Sequence, residues 1–157
     1  MTPANCIRSL EEFRYRIRRF LDFSRRAARA AGLAPQQHQM LLVLAGGPPG
    51  TDSRIRLLAE RLFLNHNSAV ELVNRLQRQG MVERVRRPQD HSKDRRQVGV
   101  RITPRGARVL ARLTRHHLAE LRSAGPELVG ALQAAIAGAR RAPRPRRARS
   151  GRRRGNR

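Results

Sequence analysis

The sequence predicts a mainly α chain with a small two- or three-stranded β-wing, a winged helix-turn-helix flanked on both sides by long helices. Three observations carry that prediction. Apolar residues recur at three- and four-residue steps over most of the 157 residues. Two short amphipathic stretches are separated by only Phe63-Leu64-Asn65. A strictly alternating segment around Val98, Val100 and Ile102 follows a long basic loop. Period 3.6 marks helices and period 2 marks strands.

Taken in order, Ile7, Leu10, Phe13, Ile17, Phe20, Leu21, Ala27, Ala28 and Ala31 trace one face of a long first helix, which Gly32 is placed to end. Pro35 sits where a helix tolerates proline, opening a second helix with His38, Leu41, Leu42, Leu44 and Ala45 on its apolar side. The run from Gly46 to Gly50 stops it. Ile55, Leu58, Ala59 and Leu62 then share a face, as do Ala69, Leu72, Val73 and Leu76, with Asn65 as N-cap and Gly80 as terminator of the second member. A pair this closely joined reads as a helix-turn-helix or a generic helical hairpin. Met81 to Arg87 and Val98 to Ile102 form a two-stranded ribbon, and the basic connection between them projects as a wing. Thr103-Pro104 caps a further long helix, with Ala107, Leu110, Leu113, His117, Leu118 and Leu121 as its buried stripe. Gly125-Pro126 is expected to break that helix, and Leu128, Val129, Leu132, Ala135, Ile136 and Ala139 to form a final one. Residues 140–157 have prolines and no apolar period and are expected to be disordered.

Charge narrows the partner. The chain has 35 basic and 11 acidic side chains, a net +24, and every basic residue except Lys93 is arginine. The last eighteen residues hold ten arginines, yet the remainder still carries 25 basic against 11 acidic groups. Such a surplus favours a polyanion. With four phenylalanines, one tyrosine and no tryptophan, stacking platforms for single strands are lacking, so duplex DNA fits best. The longest apolar run, Met40 to Ala45, is six residues, too short to span a bilayer, and the chain is expected to be cytoplasmic, without membrane contact. One cysteine supports neither an internal disulfide nor a Cys-rich metal site. No phosphate-binding glycine loop, no nucleophile with a matched base and no carboxylate cluster is found, so no enzyme and no cofactor are expected.

Four fragments in register carry a resemblance. Leu58-Ala59-Glu60-Arg61-Leu62, Leu72-Val73-Asn74-Arg75-Leu76, Gly80-Met81-Val82-Glu83-Arg84, and Asp94-Arg95-Arg96 with Val98, Val100, Ile102-Thr103 and Gly106 resemble the successive signatures of the MarR (multiple-antibiotic-resistance regulator) family. The resemblance covers about residues 7–139 and implies a homodimeric transcriptional regulator, most often a repressor, on a pseudo-palindromic operator. It implies a dimerisation helix over 1–32, a winged helix-turn-helix over 33–103 and dimerisation helices over 104–139; the arginine-rich tail over 140–157 lies outside it. The turn Asn65-His66-Asn67 and the acid Glu71 depart from the family pattern, so base preference does not carry over.

If Ala69, Leu72, Val73 and Leu76 face inward, the opposite face presents Asn65, Asn67, Ser68, Val70, Glu71, Asn74, Arg75 and Arg78. Asn pairs with adenine, Val touches a thymine methyl, Glu accepts from cytosine, and Arg binds guanine or phosphate. N-terminal residues of such a helix reach base edges, which leaves Arg75 and Arg78 for phosphates. The bland reading of this face is a solvated surface with a Glu71–Arg75 ion pair. On the wing, Lys93, Arg95 and Arg96 suit a narrow minor groove, and Asp94 resembles the family's wing-bracing aspartate. A solvated charged loop is the alternative.

The family's members commonly bind a small anionic or aromatic effector between the winged helix and the dimer helices. Tyr15, His38 and His117 are candidates to line that crevice, each also readable as a plain core or surface residue. Cys6 beside Arg8 is a candidate redox sensor, although the chain offers no second cysteine to resolve an oxidised thiol. His116 and Glu120, with His38, have metal-like spacing, but a solvated pair explains them and no metal is assigned. The competing class is a nonspecific architectural, nucleoid-associated protein, in which the basic body and tail coat DNA without choosing a sequence.

Overall fold

The computed structural model describes residues 3–47, 53–86 and 98–141. Its elements are α1 (Pro3–Ala30), α2 (Pro35–Ala45), β1 (Ser53–Arg54), α3 (Ile55–Leu62), α4 (His66–Arg78), β2 (Val82–Arg86), β3 (Val98–Ile102) and α5 (Pro104–Arg141). The mainly α architecture with a small antiparallel sheet is the one the sequence predicts.

Local chemistry accounts for most boundaries. α1 and α4 both run into glycines with positive φ, Gly32 at +76° and Gly80 at +67°, a region open to a residue without Cβ. Pro35 opens α2, and the Gln37 side-chain oxygen accepts the Ala34 N–H at 2.8 Å. Asn65 caps α4 as expected, its Oδ1 accepting the Ser68 N–H at 2.8 Å. Thr103 caps α5: its Oγ1 accepts the Gly106 N–H at 3.1 Å and its hydroxyl donates to the Gly80 carbonyl at 2.7 Å.

The ribbon gains a third strand. β3 lies between β1 and β2, both antiparallel to it, with Arg84 opposite Val100 on one side and Ser53 opposite Val100 on the other. Glu83 faces Arg101, and the pair closes at 2.9 Å across the strands.

Two compact units are present. Arg18–Gly125 forms the larger one, whose core joins Ala28, Leu33, Met40, Leu41, Leu58, Val73, Leu76, Val82, Val100, Leu110 and Leu113. The smaller unit contains the start of α1, up to Ile17, and α5 from Pro126 onward. There Arg16 bonds Glu12 at 2.6 Å and pairs with Glu127, and the Cys6 thiol lies 3.6 Å from the Gly138 carbonyl. Ile7, Leu10, Val129, Leu132 and Ile136 of this unit stay 39–68% exposed.

Two expectations are corrected. Gly125-Pro126 does not end a helix: α5 is continuous to Arg141, so the C-terminal region holds one long helix rather than two. Proline removes a single backbone donor, and the usual clash of its ring with the preceding Cβ is absent because that residue is glycine. The buried stripe of α5 is also shorter than its periodicity. Leu110 and Leu113 are buried, but Leu118 and Leu121 are exposed, because none of the described residues covers them. Among the described residues, no helix is long and apolar enough to cross a membrane.

Candidate nucleic-acid interface

α3 and α4 meet across a short turn, and both bury one face. On α4, Ala69, Leu72, Val73 and Leu76 are at most 6% exposed, which fixes the orientation of the rest of the helix. Asn65, Asn67, Ser68, Glu71, Arg75 and Arg78 are exposed, while Val70 and Asn74 are half-buried. The structure therefore brings the whole predicted face together on one side of one helix. Arg75 and Arg78 line a cleft of ≈ 360 Å³ with Ala34, Gln36, Gln37 and Gln79, at the C-terminal part of α4 beside the start of α2. Asn67 and Ser68 stand at its opposite end, in the first turn.

A residue outside the predicted set organises this face. Arg84, on β2, donates to Asn74 Oδ1 at 2.8 Å and to Gln77 Oε1, while Asn74 Nδ2 donates to Glu71 at 3.4 Å. The strand thus grips the exposed side of α4 at two points one turn apart. Asn74 is committed to the protein through both ends of its amide. A paired bond to adenine needs that same oxygen and nitrogen, which Asn74 spends within the protein, while Asn67, Ser68 and Glu71 stay exposed and Val70 half-buried. The sequence signal for Arg84 was its place two residues from buried Val82, on the same side of β2.

The turn itself is unusual. Phe63 closes α3 with φ +54° and ψ +40°, and its side chain is 97% exposed. Lys93, Asp94, Arg95 and Arg96, the predicted wing residues, lie outside the described residues, as do residues 142–157 of the arginine tail.

Of the predicted effector residues, His38 and His117 come together, their ring centroids 4.8 Å apart. The Leu113 carbonyl can only accept, so His117 donates from Nδ1 at 2.8 Å, and its Nε2 meets the Ser24 hydroxyl at 2.9 Å. Phe20 and Phe23 set their edges against the same ring. His38 is 1% exposed and its Nδ1 has no hydrogen-bond partner among the described residues. Burial, and then the nearby His117, holds the His38 imidazole below its ordinary value. Tyr15 belongs to the other unit, exposed, with the Arg16 guanidinium 5.8 Å from its ring centroid. Cys6 is half-buried in that unit.

An exposed polar helix backed by a helical partner and an antiparallel sheet defines a winged helix-turn-helix chain. A family model described as the MarR family matches residues 31–96. That match spans α2 through β2, the helix-turn-helix and the strand that follows it. It is 32% identical over 100 residues, 64% of its own length, to a candidate transcriptional regulatory protein for the hcr operon of Thauera aromatica, and spans only 56% of that relative. Its fold is similar to a MarR family protein from Bacillus stearothermophilus, with TM-score 0.65, 20% identity and coverage of 78% of this chain and 81% of the other. AbsC of Streptomyces coelicolor gives TM-score 0.62 at 19% identity, covering 73% and 74% of the two chains. MepR of S. aureus, in a mutant form bound to an oligodeoxyribonucleotide, gives 0.59 at 17% identity, covering 71% and 77%.

Proposed function

We propose that this chain is a non-enzymatic, cytoplasmic repressor of transcription that binds a pseudo-palindromic duplex operator as a homodimer. The observation that carries the reading is the α4 face: accessible polar readers in its first turns, arginines farther along, and a cap and a strand tether that fix its pose. Asn67, Ser68, Val70 and Glu71 enter the major groove, Arg75 and Arg78 hold phosphates, and Lys93, Arg95 and Arg96 approach the flanking minor groove, with Asp94 bracing the wing. The oligonucleotide bound to MepR supports the choice of ligand class. The +24 charge supports it independently.

Dimerisation through 1–32 and 104–139 is supported by the large apolar side chains that the smaller unit leaves in water. A small-molecule effector releases the operator in this reading, near His38 and His117. Selection of bound fragments from random duplexes tests the core of the proposal. A regulator prefers one motif over random DNA by roughly 10³ or more, with half-sites about one helical turn apart. Equal binding to every duplex would instead establish a nonspecific architectural protein.

A further inference from the structure

The same helix ending occurs at three places, and one of them is built from an unexpected residue. After α1, α3 and α4 the chain turns through positive φ at Gly32, Phe63 and Gly80. In each case the next amide reaches back to a carbonyl five residues earlier: Leu33 to Ala28 at 3.0 Å, Leu64 to Ala59 at 2.9 Å, Met81 to Leu76 at 2.9 Å. The turning residue's own N–H closes the inner bond, Gly32 to Arg29, Phe63 to Glu60 and Gly80 to Gln77. This is the paired bonding of a Schellman ending, whose left-handed position is normally glycine. At Phe63 a Cβ is forced against the backbone there.

Burial does not compensate that strain, since the ring is 97% exposed. Folding gains nothing from phenylalanine here that glycine would not supply better. An aromatic side chain held in water by a strained turn points to a contact made outside the chain.

We propose that Phe63 is a DNA-contacting residue, laying its ring on the apolar edge of the operator, a thymine methyl or the adjacent deoxyribose, beside the bases read by α4. This rests on the regulator reading above. Position argues for it: Phe63 lies two residues before Asn65, so its Cα is within about 7 Å of the cap of the groove-facing helix. Charge argues for duplex DNA over a protein partner. Arg54, Arg56 and Arg61 are exposed on the same short stretch, whose one acid, Glu60, is paired with Arg56 at 3.0 Å. Phenylalanine is among the side chains suited to a thymine methyl.

The test uses the full chain, the duplex recovered by selection from a random library, and a scrambled duplex of equal length. F63G restores the usual residue of the turn, so its Tm rises by roughly 2–4 °C. Its affinity for the selected duplex falls about ten-fold, the order of losing one base-edge contact, while affinity for scrambled DNA holds. F63Y keeps the ring and stays within about two-fold of the wild type, on the same scale. F63G that binds the selected duplex as tightly as the wild type overturns the inference, and so does a fall in its Tm, which would place the ring in a protein contact. If the wild type itself shows no preference for the selected duplex, the regulator reading falls, and this inference with it.

Discussion

Gly106→Ala is the substitution for which the structure gives the most definite forecast. Gly106 lies in the first turn of α5, where a Cβ would stand 2.2 Å from the Met81 carbonyl oxygen, 2.9 Å from Ile102 Cγ1 and 3.1 Å from the Met81 carbonyl carbon. The side chain of Ile102 can rotate, but the Met81 backbone cannot give way cheaply. It must retreat by more than about 1 Å to reach ordinary contact, and the same oxygen accepts the Thr103 N–H at 3.0 Å. Losing that bond costs about 1 kcal/mol and the overpacking about 1–3 kcal/mol. Alanine's better helix propensity returns up to about 1 kcal/mol. The net is roughly 2–3 kcal/mol of destabilisation, or about 5–10 °C in Tm for a chain of this size. Thermal melts followed by circular dichroism, at matched protein concentration, measure it. The sign decides the matter: a Tm equal to or above wild type would mean that α5 does not approach Met81 this closely, since an unobstructed glycine-to-alanine change in a helix stabilises.

Three further outcomes are expected. Asn65→Ala removes the cap of α4 and costs about 1 kcal/mol in denaturant unfolding, whereas Asn65→Asp keeps the acceptor and most of the stability. Arg84→Met releases Asn74 and Gln77; stability changes by less than about 1 kcal/mol, yet affinity for the selected duplex drops several-fold in a fluorescence titration, because the reading helix loses its outer tether. His38, held below the ordinary imidazole value of 6.5, is protonated more readily in the unfolded chain. Stability is therefore unaffected by this group above that value and is lost as pH falls below it. Melts between about pH 7.5 and about pH 5.5 should show a shallower decline for His38→Gln than for wild type.

How legible these features were depends on whether their cause is local. Gly32, Pro35, Asn65, Gly80 and Thr103-Pro104 each announce a helix boundary through their own backbone chemistry, and the structure places boundaries there. The α4 face was legible for a related reason: four apolar positions at helical spacing determine which side is hidden, and hence which is shown. Features made by distant partners were not. Ser53-Arg54 becomes a strand only because β3 runs beside it. Arg84 finds Asn74 across a turn, and His38 meets His117 from a different helix. Pro126 misled because the glycine before it removes one of the clashes by which proline opposes a helix, and α5 runs on despite the lost donor. Phe63 was legible as part of a short junction but not as its left-handed residue, since that conformation runs against its own preference.

The placement of β3 has a topological consequence. The strand that enters α3 and the strand that leaves α4 are stitched to opposite sides of this single ribbon, so the stretch from Ser53 to Arg86 is a loop of chain whose two ends are pinned to a common post. Neither helix can fray far without peeling one of those seams. Amide protons in α3, α4 and the middle of β3 should consequently trade with deuterium as one cooperative block, slower than the tips of the long outer helices.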